Sequence, residues 1–315
     1  MAALGIFQSN NSYMKKLLLL STLFLLIASC SHGLQDMDDS GVLNHVKIGV
    51  KDMDLSDLSP QTKSEIIIDG TVRFEWSADD VVGMYPDRGA QAYFEMTNFV
   101  GDNVAEFDGG GWALKSASKY ATYYPYAYEF NNRNAIPFTY SDQFQDGKNN
   151  YDHLSDYQHM ATGSQVPENG TCNYQMERVE AVVLFKMTLP VPATYDELTL
   201  RVSDGTPIVV KTTLDISGEQ YVITPEETVS IFSLGISNVT TSTENEVVTF
   251  YAMMPPQDLS GKTLIFSVNT TDGDCCQGEV AGKNMLNNHA YQYVATLTSD
   301  MGSLVEKFGS QNGNW

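Results

Sequence analysis

The sequence predicts an all-β protein built from antiparallel β-sandwiches. Three observations carry this: two-residue alternation of apolar and polar side chains, turn clusters at short intervals, and almost no helical periodicity. In TVRFEW, Val72, Phe74 and Trp76 alternate with Thr71, Arg73 and Glu75. In LFKMTL the apolar set is Phe185, Met187 and Leu189, and in LTLRV it is Leu198, Leu200 and Val202. YQYVATL places Tyr291, Tyr293, Ala295 and Leu297 on one face. EVVTFYAM (Glu246 to Met253) and TLIFSV (Thr263 to Val268) are apolar on both faces, the pattern of central strands. Asp69-Gly70, Asp108 to Gly111, Asp146-Gly147, Asp204-Gly205, Ser260-Gly261 and Asp272-Gly273 read as turns. Strands this short and this closely spaced argue against a parallel sheet with crossover helices.

Near the N-terminus a different physics rules. Met14, Lys15 and Lys16 form a positive region, Leu17 to Ile27 an apolar run, and Ala28 and Ser29 the small residues before Cys30. This order is that of a lipoprotein signal peptide, residues 1–29 with its natural start at Met14, after which Cys30 becomes the acylated N-terminus. The run is about half the ~20 apolar residues that cross a bilayer. Residues 30–45, with Asp36, Asp38 and Asp39, read as a flexible acidic tether. Further on, HMATGSQVPENGTCNY is Gly- and Pro-bearing and poor in large apolar residues. A boundary there gives an N-terminal sandwich over 46–165, a C-terminal one over 171–300, and a tail over 301–315.

The 315 residues carry 39 acidic and 18 basic side chains, a net charge of −21. Such a surface repels nucleic acid and anionic headgroups, so neither is expected as a partner. With Cys30 committed to lipid, Cys172, Cys275 and Cys276 remain, an odd set that cannot pair fully within one chain. Cys172 could bridge to either of the adjacent pair, or all three could be free thiols.

No catalytic signature is present: no Gly-x-Ser-x-Gly elbow, no His-Glu-x-x-His, no phosphate-cradling loop. The chain is read as non-enzymatic, without metal or cofactor. His153 and His159 flank Asp152 and Asp156, which reads as a polar loop rather than a metal or proton-transfer cluster. Asp272 and Asp274 begin a calcium-loop pattern that fails where Cys276 takes the third carboxylate position. In YATYYPYAYEF two readings stand. One is strands whose aromatics pack on both faces; the other is a glycan-stacking platform of Tyr123, Tyr124, Tyr126 and Tyr128 on a surface lipoprotein that does not polymerise.

Taken in order, the signal with Cys30, WSADDVVGMYP, YATYYPYAYEF, YDHLSDYQHMATG, AVVLFKMTLP, FYAMMPPQDLSGKTLIFSV and KNMLNNHAYQYVATLT resemble the fimbrillin-like lipoproteins of the Bacteroidales, subunits of type V pili. The resemblance runs from about Val46 to Thr298. It implies two transthyretin-like sandwich domains in tandem, with Asp80 and Gly83 shaping a turn and Trp76 and Tyr85 packing. It also implies export as an outer-membrane lipoprotein at the cell surface. The expected partners are other pilus subunits, in homo- or hetero-polymer, and host or bacterial surface ligands. In polymerising members a protease removes the first strand after a basic residue, and the C-terminal segment of the next subunit fills the groove. Here the implied first strand is Val46 to Val50, with Val46, Ile48 and Val50 facing the groove. The implied processing site is Lys63, set in the turn-rich PQTKSE, in preference to Arg73 inside a predicted strand. The implied donor tail carries Leu304, Val305 and Phe308, without sustained alternation.

Overall fold

Residues 43–59, 74–101, 103–109 and 117–299 are described by the structure, a computed structural model. The signal peptide with Cys30, the stretch holding Lys63 and Arg73, and the tail with Leu304, Val305 and Phe308 lie outside them. Regular structure among the described residues is β throughout, apart from a 3-10 turn at Asp152–Tyr157. The first strands are β1 (His45–Val50), β2 (Val81–Pro86), β3 (Ala92–Gly101), β4 (Val104–Gly109), β5 (Tyr120–Tyr124), β6 (Ile136–Thr139), β7 (Gln143–Asp146), β8 (Met160–Gln165) and β9 (Thr171–Arg178). They are followed by β10 (Ala181–Leu189), β11 (Thr194–Val202), β12 (Ile208–Asp215), β13 (Val222–Val229), β14 (Phe232–Thr240) and β15 (Glu246–Met254). The last are β16 (Gln257–Asp258), β17 (Thr263–Thr270), β18 (Cys275–Ala281), β19 (Asn284–Met285), β20 (Ala290–Thr296) and β21 (Thr298–Ser299).

Seven strands close into a barrel in the order β1-β4-β3-β2-β5-β8-β9. The second half stacks a three-stranded sheet, β15-β10-β20, on a six-stranded one, β21-β18-β17-β11-β14-β7. Antiparallel pairs dominate, as alternation implies, but β1 with β9, β10 with β20 and β14 with β7 run parallel. The stretch 163–170, expected to separate two sandwiches, holds the end of β8 and the turn into β9, both barrel strands. Gly and Pro mark a hairpin there, and the chain enters the second half between Arg178 and Ala181. β6 and β7 leave the barrel to pair with β12 and β14. Phe74 to Trp76, predicted as strand, are not in one; Phe74 and Trp76 are nevertheless buried, edge to face at 4.7 Å, and Trp76 Nε1 donates to the Asn103 carbonyl.

Three apolar cores result. One fills the barrel, with Val46, Ile48, Phe94, Phe107 and Tyr174. Another lies between the two stacked sheets, with Phe185, Leu198, Phe250 and Phe266. The third sits between them and takes the opposite faces of the same strands: Tyr123 from β5, Val182 and Leu184 from β10, Tyr251 and Met253 from β15.

β15, predicted as a central strand, is an edge strand. From Phe250 to Met254 it is buried on both faces as expected, because two cores flank it, while Val247 near its start is exposed. What replaces the missing neighbour is a pair of glutamines two residues apart on β7. Gln143 Oε1 accepts from Met253 N at 2.8 Å and its Nε2 donates to the Met253 carbonyl at 2.7 Å. Gln145 Oε1 accepts from Tyr251 N at 2.9 Å and its Nε2 donates to the Thr249 carbonyl at 3.2 Å. Asn149 Oδ1 accepts from Thr249 N. Each buried backbone group stripped of its partner is worth ~1–3 kcal/mol. The double substitution Gln143→Leu and Gln145→Leu is therefore expected to lower unfolding free energy by several kcal/mol in urea denaturation. It should also speed hydrogen exchange at the Tyr251 and Met253 amides while leaving Phe250 and Ala252 protected.

Candidate strand-exchange site

β1 owes its position to its own alternation. Val46 and Ile48 are 0% exposed and Val50 2%, all pointing into the barrel, while His45 and Lys47 are only half-buried. On one edge β1 pairs antiparallel with β4, from His45 opposite Asp108 to Gly49 opposite Val104. On the other it pairs parallel with β9, from His45 opposite Thr171 to Val50 opposite Met176. Gly49 fits because a Cβ there would meet Gln175 Oε1 at 2.8 Å. At the far end Val50 N donates to the Asn103 carbonyl and Asn103 Nδ2 donates back to the Val50 carbonyl. At the near end His45 Nδ1 lies 2.6 Å from Asp108 Oδ1, an exposed contact that adds little.

This one strand closes the barrel. Withdrawing it would leave β4 and β9 with bare hydrogen-bonding edges over a slot lined by the barrel core, a template for another extended segment. Each of its three buried side chains is worth roughly 1.5–3 kcal/mol by burial alone.

The motif around Trp76 is placed in part as the resemblance implied. Asp80 shapes a turn, its carboxylate accepting from Ser77 N at 2.6 Å and from the Tyr124 hydroxyl at 2.8 Å. Gly83 does not: it lies within β2, where a Cβ would stand 2.0 Å from the Tyr123 ring. Trp76 and Tyr85 are both buried, in different cores.

The four tyrosines form no platform. Tyr123 is buried in the middle core and Tyr124 stands edge to face against Trp76, 5.6 Å between centroids. Tyr126 leans on Tyr93, and of the four only Tyr128 is largely exposed. The glycan-platform reading of these residues is thereby overturned: Tyr123 and Tyr124 turn to opposite sides of β5, and Tyr126 and Tyr128 lie beyond its end. Cys172 and Cys276 are buried in separate cores, with no disulfide joining them.

His153 and His159 part company from their exposed neighbours Asp152 and Asp156. His153 Nε2 sits 3.0 Å from the Tyr251 carbonyl, and burial lowers its pKa. His159 stacks on Phe138 at 4.0 Å beside a buried group that sequence reasoning missed, Glu180 with Arg178. Glu180 accepts from His159 N at 3.2 Å and from the Tyr140 hydroxyl at 3.4 Å. Its place directly before the apolar run Ala181 to Phe185 was the one sequence signal.

No family model matches the chain, and no curated protein matches it. Among solved structures, a candidate cell adhesion protein from Bacteroides ovatus superposes with a TM-score of 0.50 at 13% identity, covering 81% of this chain and 94% of that one. A second such protein, from Bacteroides uniformis, gives 0.48 at 13% identity over 83% and 95%. The tip fimbrial protein Mfa3 from Porphyromonas gingivalis, C-terminally truncated, gives 0.39 at 10% identity over 82% and 96%. The first of these likenesses shows a shared all-β fold across most of both chains.

Two predictions follow from these geometries. Ile48→Ala should cost about 2–5 kcal/mol in urea denaturation, the range for a fully buried aliphatic, whereas Lys47→Ala should be near neutral. The second concerns pH. Burial lowers the His159 pKa to about 3 and raises that of Glu180 to about 8. His159 therefore contributes stability that is lost as pH falls from its ordinary 6.5 toward 3. Glu180 binds its proton more tightly folded than unfolded, so its contribution is lost as pH rises from 4.5 toward 8. Thermal midpoints should fall above pH 6.5, and Glu180→Gln should remove that alkaline decline while sparing the acid one.

Proposed function

We propose that this chain is a non-enzymatic, lipid-anchored surface subunit of the fimbrillin-like type, which joins other subunits by protease-triggered exchange of its first strand. The observation that carries the reading is β1 itself, a short strand paired on both edges that alone completes a barrel. Support comes from the fold shared with a candidate cell adhesion protein and from the lipoprotein pattern ending at Cys30. In this reading Cys30 carries the acyl chains that hold the subunit at the outer membrane. Cleavage at Lys63, or at Arg73, frees β1. The slot of Val46, Ile48 and Val50 then receives an extended segment of a neighbouring subunit, for which Leu304, Val305 and Phe308 are this chain's own candidates. Host or bacterial surface ligands are the remaining partners.

Intact mass of the protein from its native outer membrane, after mild digestion with a trypsin-like protease, tests this directly. The expected result is loss of a defined N-terminal fragment ending at Lys63, followed by ladders of detergent-stable oligomers. An uncut, monomeric, acylated chain beginning at Cys30 would sink strand exchange and leave an anchored surface lipoprotein.

A further inference from the structure

The contacts of the first segment do not stop at Val50. Lys51 N donates to the Met176 carbonyl at 2.8 Å, after which the chain crosses from the barrel to the residues around β20. Asp54 N donates to the Asn288 carbonyl at 3.0 Å, and Ala290 N donates to the Asp54 carbonyl at 2.9 Å. Asn288 Nδ2 donates to the Asp52 carbonyl. Met53 and Leu58, 8% and 4% exposed, insert into the middle core beside Tyr85, Tyr123, Met253 and Ala290. Two carboxylates fasten the outside. Asp54 lies 3.2 Å from His289 Nε2, and Asp57 takes Lys283 Nζ together with the Gln292 amide at 3.0 Å. Ser59 N donates to Gln292 Oε1.

We propose that the exchangeable unit is His45–Ser59, a strand plus a strap, rather than β1 alone, and that the vacated surface selects its partner by that longer pattern. The inference rests on the strand-exchange reading. A cut anywhere in residues 60–73 lies beyond the strap and releases both parts together. Lys51, the basic residue between them, resists cutting because its backbone is bonded to β9 and its ammonium is 2.8 Å from Glu177. The fitting partner is an extended segment of another subunit with apolar residues in the places of Val46, Ile48, Val50, Met53 and Leu58, and carboxylates in those of Asp54 and Asp57. Residues 301–315 answer it only in part. In the register that sets Met301, Val305 and Phe308 on Val46, Val50 and Met53, Ser303 and Gly313 fall on Ile48 and Leu58, and Gly309 and Asn312 fall on the two aspartates. A segment other than this tail is the better occupant.

The test uses the full chain with a specific protease site placed within residues 60–66. After cutting, retention of the leader is followed by size exclusion and mass, and synthetic peptides of residues 43–51 and 43–59 are offered to chain from which the leader has been removed. The longer peptide should bind at least about ten-fold tighter. Met53→Ala with Leu58→Ala should speed leader release by a similar factor in chains whose near-ultraviolet dichroism before cutting is unchanged. Equal binding of the two peptides, to unsubstituted chain, overturns the strap, while tight binding of both keeps the strand reading. If neither peptide binds and Ile48→Asp does not hasten release, the strand reading itself falls.

Discussion

The middle core is the constraint on which the rest of this molecule depends. β10 and β15 each bury two faces, one against the stacked sheets and one against the barrel wall. A strand buried on both faces leaves little polar surface with which to face water, so the barrel and the stacked sheets must stay in contact for either to keep its apolar area covered. The buried Arg178, Glu180 and Tyr140, with His159 beside them, stand where the chain crosses between them. Polar groups buried there are tolerated only where they are hydrogen-bonded to fixed partners, which favours one docking geometry over others.

A protein with this many strands must also govern its edges. The three-stranded sheet shows how it does so without adding strands. On β15 the two amide side chains of β7 imitate a neighbour's backbone. On β20 the Gln292 amide is taken by Asp57 and its carbonyl by Lys283. Side chains thus seal both sides of that sheet. The barrel seals itself by closure, and closure depends on a strand that is first in the described chain and short.

Much of this was legible in residue order. Alternation located β10, β11 and β20 and the faces they bury, two-faced apolar content located β17, and the turn pairs gave glycines at positive φ, such as Gly205 at 81° and Gly273 at 90°. Pairing partners were not legible. The same Gly- and Pro-bearing composition serves a hairpin or a linker, so residues 163–170 gave no sign that β8 and β9 stay in one barrel. Double-faced burial marks a strand between two cores as well as one between two neighbours, which is why β15 was read as central. Nothing local distinguishes Gln143 and Gln145 from solvated polar residues of an alternating strand, because their role exists only opposite β15. Of the candidate site, Val46, Ile48 and Val50 were found through the resemblance, while the strap was not, since Met53 and Leu58 follow no strand period.

Chain order gives the proposed mechanism its logic. Cys30, β1 and the strap all precede the proposed cut, so the lipid and the plug leave as one covalent piece. On this proposal the subunit would be held at the membrane with its slot filled before the cut, and would lose tether and plug together after it. Coupling the two losses in this way would open a slot only on a subunit free to be drawn into a polymer. With β1 in place the chain presents no bare edges of β4 and β9 to neighbouring copies. A strand that merely covered one edge could fray open while still anchored. One paired on both sides, with a strap fastened across to β20, has to surrender two ladders and two apolar anchors at once, which opposes release by thermal fluctuation while the chain is uncut.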